Sequence, residues 1–207
     1  NEVEAHGKDE IAELWQALDE TQKQLRQQNQ QSTVLTTALE NVSANIMIAN
    51  NERKITYANS SIMSMFHTAE ADIQKDLPHF SVDNLHGEII DRFHKRPTEQ
   101  ANLLANLTGT HETSFNLGGR TFELTANPII SKDGNRLGSV VEWQDTTNQV
   151  ATEKEIEQLL QKATRGDFSQ RLMLEGKKGF YHKLSRNFNR LLDTTEKGLN
   201  EVVSMLS

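Results

Sequence analysis

The side chains best suited to chemistry in this chain are its seven histidines and two tryptophans. His67, His79, His86, His94 and His111 lie in the middle, and His6 and His182 lie on the flanks. A neutral imidazole can give one nitrogen to a metal, whereas an indole N–H can only donate a hydrogen bond. Taken alone, a helical histidine is a surface or core residue and Trp143 a core aromatic. The absence of cysteine excludes a disulfide framework, a thiolate metal site, a CxxCH-attached heme and cysteinyl-flavin photochemistry. No GxSxG, HExxH, Walker loop or kinase motif occurs, and Gly118-Gly119 sits in a hairpin rather than at a helix start. Asp9-Glu10 and Asp19-Glu20 belong on solvated helix faces, not in a cleft. The chain therefore reads as a non-enzyme.

The elements that must position these residues follow from composition. All three prolines (Pro78, Pro97, Pro128) and six of the 11 glycines fall between residues 78 and 138, while both flanks are rich in Glu, Gln, Lys and Leu. That contrast predicts helix, compact domain, helix. The apolar share of 35% is low for a wholly globular chain, so part of it reads as solvated, elongated helix. No apolar run approaches the ~18–20 residues that span a bilayer, and no signal peptide is legible. A net charge of −7 argues against nucleic acid as a partner. Opening at Asn1 and stopping mid-pattern at Ser207, the chain reads as a piece of a longer soluble protein.

Within residues 1–40 the seam Ile11, Leu14, Leu18, Thr21, Leu25, Gln28, Ser32, Leu35, Leu39, Val42 steps by threes and fours, the spacing of a coiled coil weakened by polar entries. Residues 41–147 read as an antiparallel α+β domain. Asn45–Ala49 and Lys54–Ala58 are short strands joined by the turn Asn50–Arg53. Small helices are expected over Ser60–Phe66, Glu70–Lys75, Asn84–His94 and Thr98–Leu107, the last led by Pro97. Strands follow over His111–Leu117, Arg120–Ile130 and Arg136–Asp145, turning at Gly118-Gly119 and Asp133-Gly134-Asn135. Alternation places Phe122, Leu124 and Ala126 on one face, and Leu137, Ser139, Val141 and Trp143 on another. These faces form a core or, with the helices opposite, enclose an apolar cavity. Residues 148–207 read as two amphipathic helices, with Ile156, Leu159, Leu160 and Ala163 on the first. The second, from about Gly179, carries Leu184, Phe188, Leu191, Thr195, Gly198 and Val202. A connector with Leu172 and Leu174 joins them. Such helices bury their stripes by pairing with a second chain in a parallel four-helix bundle.

The stretch Asn41–Asn50, the Tyr57-Ala-Asn59 step into a helix and the closing Val141-Glu-Trp-Gln-Asp145-Thr-Thr147 resemble a PAS domain. Lys8–Leu14 resembles the start of a second HAMP helix, and residues 151–203, with Gly166–Leu172 closing the first helix, resemble a nearly whole HAMP unit. HAMP–PAS–HAMP without a membrane span is similar to the cytoplasmic, aerotaxis-type chemoreceptors, which are methyl-accepting chemotaxis proteins. Phe93-His94-Lys95-x-Pro97 and Leu103–Gly109 resemble their heme-binding PAS subgroup. The resemblance implies heme b held by His94 as axial ligand of the iron, with His86 the runner-up. It implies that Trp143 donates to bound O2 (CO and NO being alternatives), that Leu124 packs over the gas site, and that Asp145 and Thr147 relay the signal. It further implies a homodimer that reaches a chemotaxis adaptor and a histidine kinase through a C-terminal region beyond residue 207. The rival readings are a PAS module for flavin or a small organic ligand, and an empty PAS acting as a dimerising relay.

Overall fold

The structure is a computed structural model that describes residues 3–93 and 107–206, with side-chain surroundings from residue 11 to 91 and from 107 to 206. His94 and the helix expected over residues 98–107 fall outside the described residues, apart from Leu107 itself. Helix α1 (Val3–Asn41) leads into strands β1 (Asn45–Asn50) and β2 (Ile55–Ala58), helix α2 (Ser60–Ile73), and strands β3 (His111–Leu117), β4 (Arg120–Ile130) and β5 (Arg136–Asp145). Helices α3 (Thr147–Ala163) and α4 (Gly179–Leu206) end the chain. The five strands form one antiparallel sheet in the order β2-β1-β5-β4-β3.

The expected pair Ser60–Phe66 and Glu70–Lys75 is one helix. Asn59 begins it: its side-chain oxygen accepts from Ile62 N at 3.1 Å, a standard N-cap bond. No breaker interrupts the following fourteen residues, and Ile62, Phe66, Ala69 and Ile73 present one buried face at spacings of three and four. That face packs on Met47, Ala49, Phe122, Leu124, Ala126, Val141 and Trp143 of the sheet. The helix expected over Asn84–His94 is absent within its described part. Short 3-10 turns at Val82–Asn84 and Ile90–Phe93 flank a stretch in which Lys54 pairs with Ile89. Backbone bonds from Ile55 N to Glu88 O and from Ile90 N to Arg53 O claim the groups a helix would have used.

Leu137 departs from the expected face. Ile129 pairs with Gly138 and Ile130 with Arg136, so Leu137 is the extra residue of a β-bulge and points to solvent, while Ser139, Val141 and Trp143 face inward. In the second flank the connector leucines part company: Leu172 is buried with Leu159 and Leu192, and Leu174 is exposed. Asn189 on α4 clamps the connector, accepting from Leu172 N at 2.7 Å and donating to Leu172 O at 2.9 Å. On α4 the buried positions are Ser185 and Leu192, whereas Leu191 and Val202 of the expected stripe are exposed. Leu184, Phe188 and Thr195 of the same stripe are half-buried, Phe188 against Leu159, Leu172 and Leu192, so the stripe is covered only in part, while Ile11, Leu14, Leu18, Leu25 and Leu35 on α1 are exposed.

The β3–β4 hairpin docks on the end of α2. Gly118 and Gly119 both take positive φ, as a two-residue primed turn requires. A Cβ at Gly118 would sit 1.9 Å from the Asp72 carbonyl oxygen, while one at Gly119 would meet nothing. Gly118→Ala should therefore lower stability by roughly 2–4 kcal/mol and Gly119→Ala by only about 1–2 kcal/mol, read from urea midpoints; equal losses contradict the close approach. The Asp72 carboxylate, bonded to Lys75 and to Arg120, is held below its ordinary value of 3.8. A depressed folded pKa gives stability that is present above the unfolded value and lost as pH falls through the folded one. Asp72→Asn should thus flatten the loss of stability between about pH 5 and about pH 2, measured by thermal melts across that range.

Candidate functional site

Trp143 lies on β5, the middle strand of the sheet, so it has a neighbour on either side. Its register partners are Asn45 on β1 and Leu124 on β4. Directly opposed residues point to the same face of a sheet, and Leu124 and Trp143 are both buried there. The indole ring is boxed by phenyl rings, with Phe66 of α2 at 5.0 Å between centroids and Phe115 and Phe122 each at 5.8 Å, all edge-on. Edge-on packing of this kind fixes the plane of the indole.

The box supplies nothing that can accept a hydrogen bond. Trp143 Nε1 is buried with no partner among the described residues. A buried unpaired donor costs about 1–3 kcal/mol, and tryptophans in protein interiors normally find an acceptor. Phe80, edge-on to Phe66 at 5.6 Å, lines an open cleft of about 480 Å³ together with Leu77, Pro78, His79 and Asn84. Phe80 and Phe66 are packed rings between that cleft and the indole. The lining of the cleft is mixed, with Asp76, His79, Ser81, Asn84 and Glu88 polar and Leu77, Pro78 and Phe80 apolar.

A heme fits this arrangement on its donor set. Among the described residues no group of three or more His, Asp or Glu side chains is placed to hold a metal ion. Iron carried in a porphyrin needs only one protein imidazole, an apolar slot, and a donor on the gas side. The donor and its apolar neighbours lie within the described residues; His94, to which the imidazole role was assigned, lies outside them. His86, the runner-up, is exposed in a turn rather than on a helix, and its neighbour Gly87 has positive φ. His67 and His79 are also exposed and His111 is half-buried at the start of β3.

Two residues beyond Trp143 the strand ends in a polar knot. Asp145 accepts from Arg120 Nη1 at 2.8 Å, and its other oxygen accepts from Thr147 N at 3.0 Å and from the Thr147 hydroxyl. That hydroxyl in turn accepts from Thr121 N at 3.0 Å, and Thr146 N donates to Thr121 O at 2.9 Å. Arg120 also donates to Asp72 at 2.7 Å, joining β5, β4 and α2 at the point where α3 begins. Sequence reasoning singled out Asp145 and Thr147 but missed Arg120, whose only signal is a cation directly after the Gly-Gly turn.

At the upstream end, buried Asn59 gathers the chain. Its oxygen also accepts from Ile46 N at 3.1 Å, and its nitrogen donates to Leu39 O at 3.0 Å and Ala44 O at 2.8 Å. Glu40, in the last turn of α1, accepts from Ser60 N and from the Ser60 hydroxyl at 3.0 and 2.6 Å, and this pairing holds its carboxyl below the usual range. The Tyr57 phenol nearby is pushed up to about 12 by burial and by the Glu40 carboxylate. The end of α1 is thus bonded to the domain through side chains, not through apolar contact alone.

Comparison with known proteins agrees with this geometry. The family model described as PAS fold matches residues 39–151. The chain is 48% identical over 169 residues to the methyl-accepting chemotaxis protein McpB of Pseudomonas aeruginosa, a match that covers 82% of this chain and 25% of that protein. The chain thus spans about a quarter of that receptor's length. Among solved structures it is similar to the Aer2 receptor of Vibrio cholerae, described as a dual PAS-heme oxygen sensor, at 27% identity and a TM-score of 0.48, covering 50% of this chain and 95% of that one. It is also similar to the PAS domain of Bordetella pertussis BvgS, at 14% identity and a TM-score of 0.43, covering 64% and 98%. The receptor relative accords with the reading of the chain as a non-enzyme. With more than half of its residues matched by the family model and a five-stranded antiparallel sheet capped by α2, this chain belongs to the PAS fold family.

Proposed function

We propose that this chain is the gas-sensing and relay part of a cytoplasmic chemoreceptor. In this reading residues 41–147 bind heme b and residues 1–40 and 148–207 are coiled-coil and HAMP-type helices. The observation that carries the reading is the buried Trp143 Nε1, unpartnered among the described residues, beside its register partner Leu124. Heme, when bound, would supply reversible O2 binding, with negative charge gathering on the gas. His94 would hold the iron through one imidazole nitrogen. Trp143 donates its N–H to the gas, and Leu124 excludes water beside it. In a dry site such a bond to a charged acceptor contributes roughly 1.5–3 kcal/mol, about a tenfold to hundredfold change in affinity.

The indole moves on gaining its acceptor, and β5 moves with it. The Asp145–Thr147 knot passes that displacement to the first turn of α3, while Arg120 keeps β4 and α2 as the fixed reference. Only a difference in contacts between the liganded and free states can drive such a change. The exposed apolar side chains on α1 and α4 are covered by a second copy in a parallel bundle, which carries the movement toward an adaptor and a histidine kinase. No described helix is long and apolar enough to cross a membrane, in keeping with a cytoplasmic receptor.

Absorption spectra of the purified chain test the proposal first. Loading with heme should give an intense Soret band that shifts on reduction and again on exposure to O2. A yellow, fluorescent protein would instead favour a flavin in the open cleft, and a protein left colourless by excess heme would favour an empty, structural PAS. His94→Ala should lose heme or hold it weakly; an unchanged ferrous spectrum removes that histidine from its role. Trp143→Leu should retain heme and weaken O2 binding by about tenfold to hundredfold, and unaltered O2 affinity contradicts the donor role. In heme-free protein Trp143→Phe should stay within about 1 kcal/mol of the parent, since it removes an unpaired donor, whereas Trp143→Ala should cost about 3–5 kcal/mol.

A further inference from the structure

The residue directly opposite Trp143 on β1 is a polar one on an apolar face. Asn45 shares the buried side of β1 with Met47 and Ala49, and its Cα is the register partner of Trp143. Its side-chain nitrogen donates to the Trp143 carbonyl at 2.9 Å, and its oxygen lies 2.8 Å from the Ser61 hydroxyl at the start of α2. The orientation of the amide is set by chemistry, because a carbonyl accepts only and so must face the amide nitrogen. The Ser61 hydroxyl is also 2.9 Å from the carbonyl of Ser43, just beyond the end of α1. One proton serves two acceptors there, so the contacts of Ser61 depend on where the end of α1 lies.

We propose that Asn45 is a positioning residue for the gas site: its amide pins the Trp143 backbone and thereby aims the indole N–H. The inference rests on the gas-sensing reading above. An apolar side chain at position 45 would extend the hydrophobic face, and the end of β5 would lose its only side-chain tie on the β1 side among the described hydrogen bonds. The Trp143 ring itself is edge-on to three phenyl rings. Edge contacts fix its plane but do little to fix its position along the strand. The amide fixes the strand beneath it, and a donor misplaced by a few tenths of an ångström loses much of a directional bond. By the same bond Asn45 joins the tryptophan to the α2 start and, through Ser61, to the junction with α1.

Asn45→Asp is the sharpest test, since it keeps volume and the acceptor facing Ser61 while removing the donor facing Trp143. O2 and CO titrations of the heme-loaded chain, with Trp143→Leu alongside, give the first readout. The O2 dissociation constant should rise about threefold to tenfold in Asn45→Asp and more in Trp143→Leu. CO binding should hold in both, because bound CO carries little charge to be stabilised. The second readout needs no heme: in 15N–1H spectra of the heme-free chain, whose other tryptophan is Trp15, the Trp143 indole signal should shift in Asn45→Asp. Should that variant not fold, Asn45→Ala is read in the same way. Unchanged O2 affinity in Asn45→Asp beside a weakened Trp143→Leu overturns the inference and leaves the gas-sensing reading standing. An unmoved indole signal, or equal losses of O2 and CO, also overturns it. Unchanged O2 affinity in Trp143→Leu brings down the underlying reading and the inference with it.

Discussion

A single N–H group, buried without an acceptor among the described residues, organises the site. Trp143 Nε1 is enclosed by Phe66, Phe115, Phe122 and Leu124, and none of these can take its proton. Protein interiors seldom tolerate such a group, because its hydration is lost with nothing in exchange. The cost is removed only when an acceptor arrives, and it is removed in the bound state alone. Under the proposed function that asymmetry couples ligand to fold, because the free energy gained on filling the site depends on how the indole is held.

The strand is held at both ends of the relevant stretch by polar contacts rather than by greasy packing. Upstream, Asn45 ties the Trp143 carbonyl to Ser61, and Asn59 gathers Leu39, Ala44, Ile46 and Ile62 around one amide. Downstream, Arg120, Asp145 and Thr147 bond β5 to β4, α2 and the first turn of α3. Hydrogen bonds and ion pairs are directional, so a small shift exchanges one arrangement for another instead of deforming smoothly. Between these two knots the hydrophobic core supplies the rigid frame. The hairpin at Gly118 sits so close to the Asp72 carbonyl that no side chain can be inserted there.

Much of this architecture was legible in the residue pattern because period-two alternation and turn chemistry are local. The five strands, the Gly118-Gly119 turn and the inward set Phe122, Leu124, Ala126, Val141 and Trp143 follow from spacing alone. Leu137 did not, since a bulge depends on the partner strand, and nothing within Arg136–Asp145 announces which residue is extra. The helix expected over Asn84–His94 failed in its described part for a related reason: Lys54, Ile55 and Arg53 compete for the same backbone groups from thirty residues away. Site residues divide likewise. Trp143, Leu124, Asp145 and Thr147 came from a family likeness. Asn45 and Arg120 have no sequence signature, because their importance lies in partners brought together by the sheet.

Apolar side chains on α1 and on the far half of α4 are exposed in one chain considered alone. A chain that closes one face of α4 around Leu192 and Asn189 while exposing Leu191 and Val202 offers a second copy a surface already in helical register. The first turn of α3 is bonded to the sheet through Thr147, which meets Thr121 and Asp145. The most direct measurement is a crystal structure of the heme-loaded chain under O2. The account predicts Trp143 Nε1 at about 2.7–3.2 Å from the outer oxygen, with Asn45 still on the tryptophan carbonyl. An indole that keeps its place among the three phenyl rings, pointing away from the gas, contradicts it.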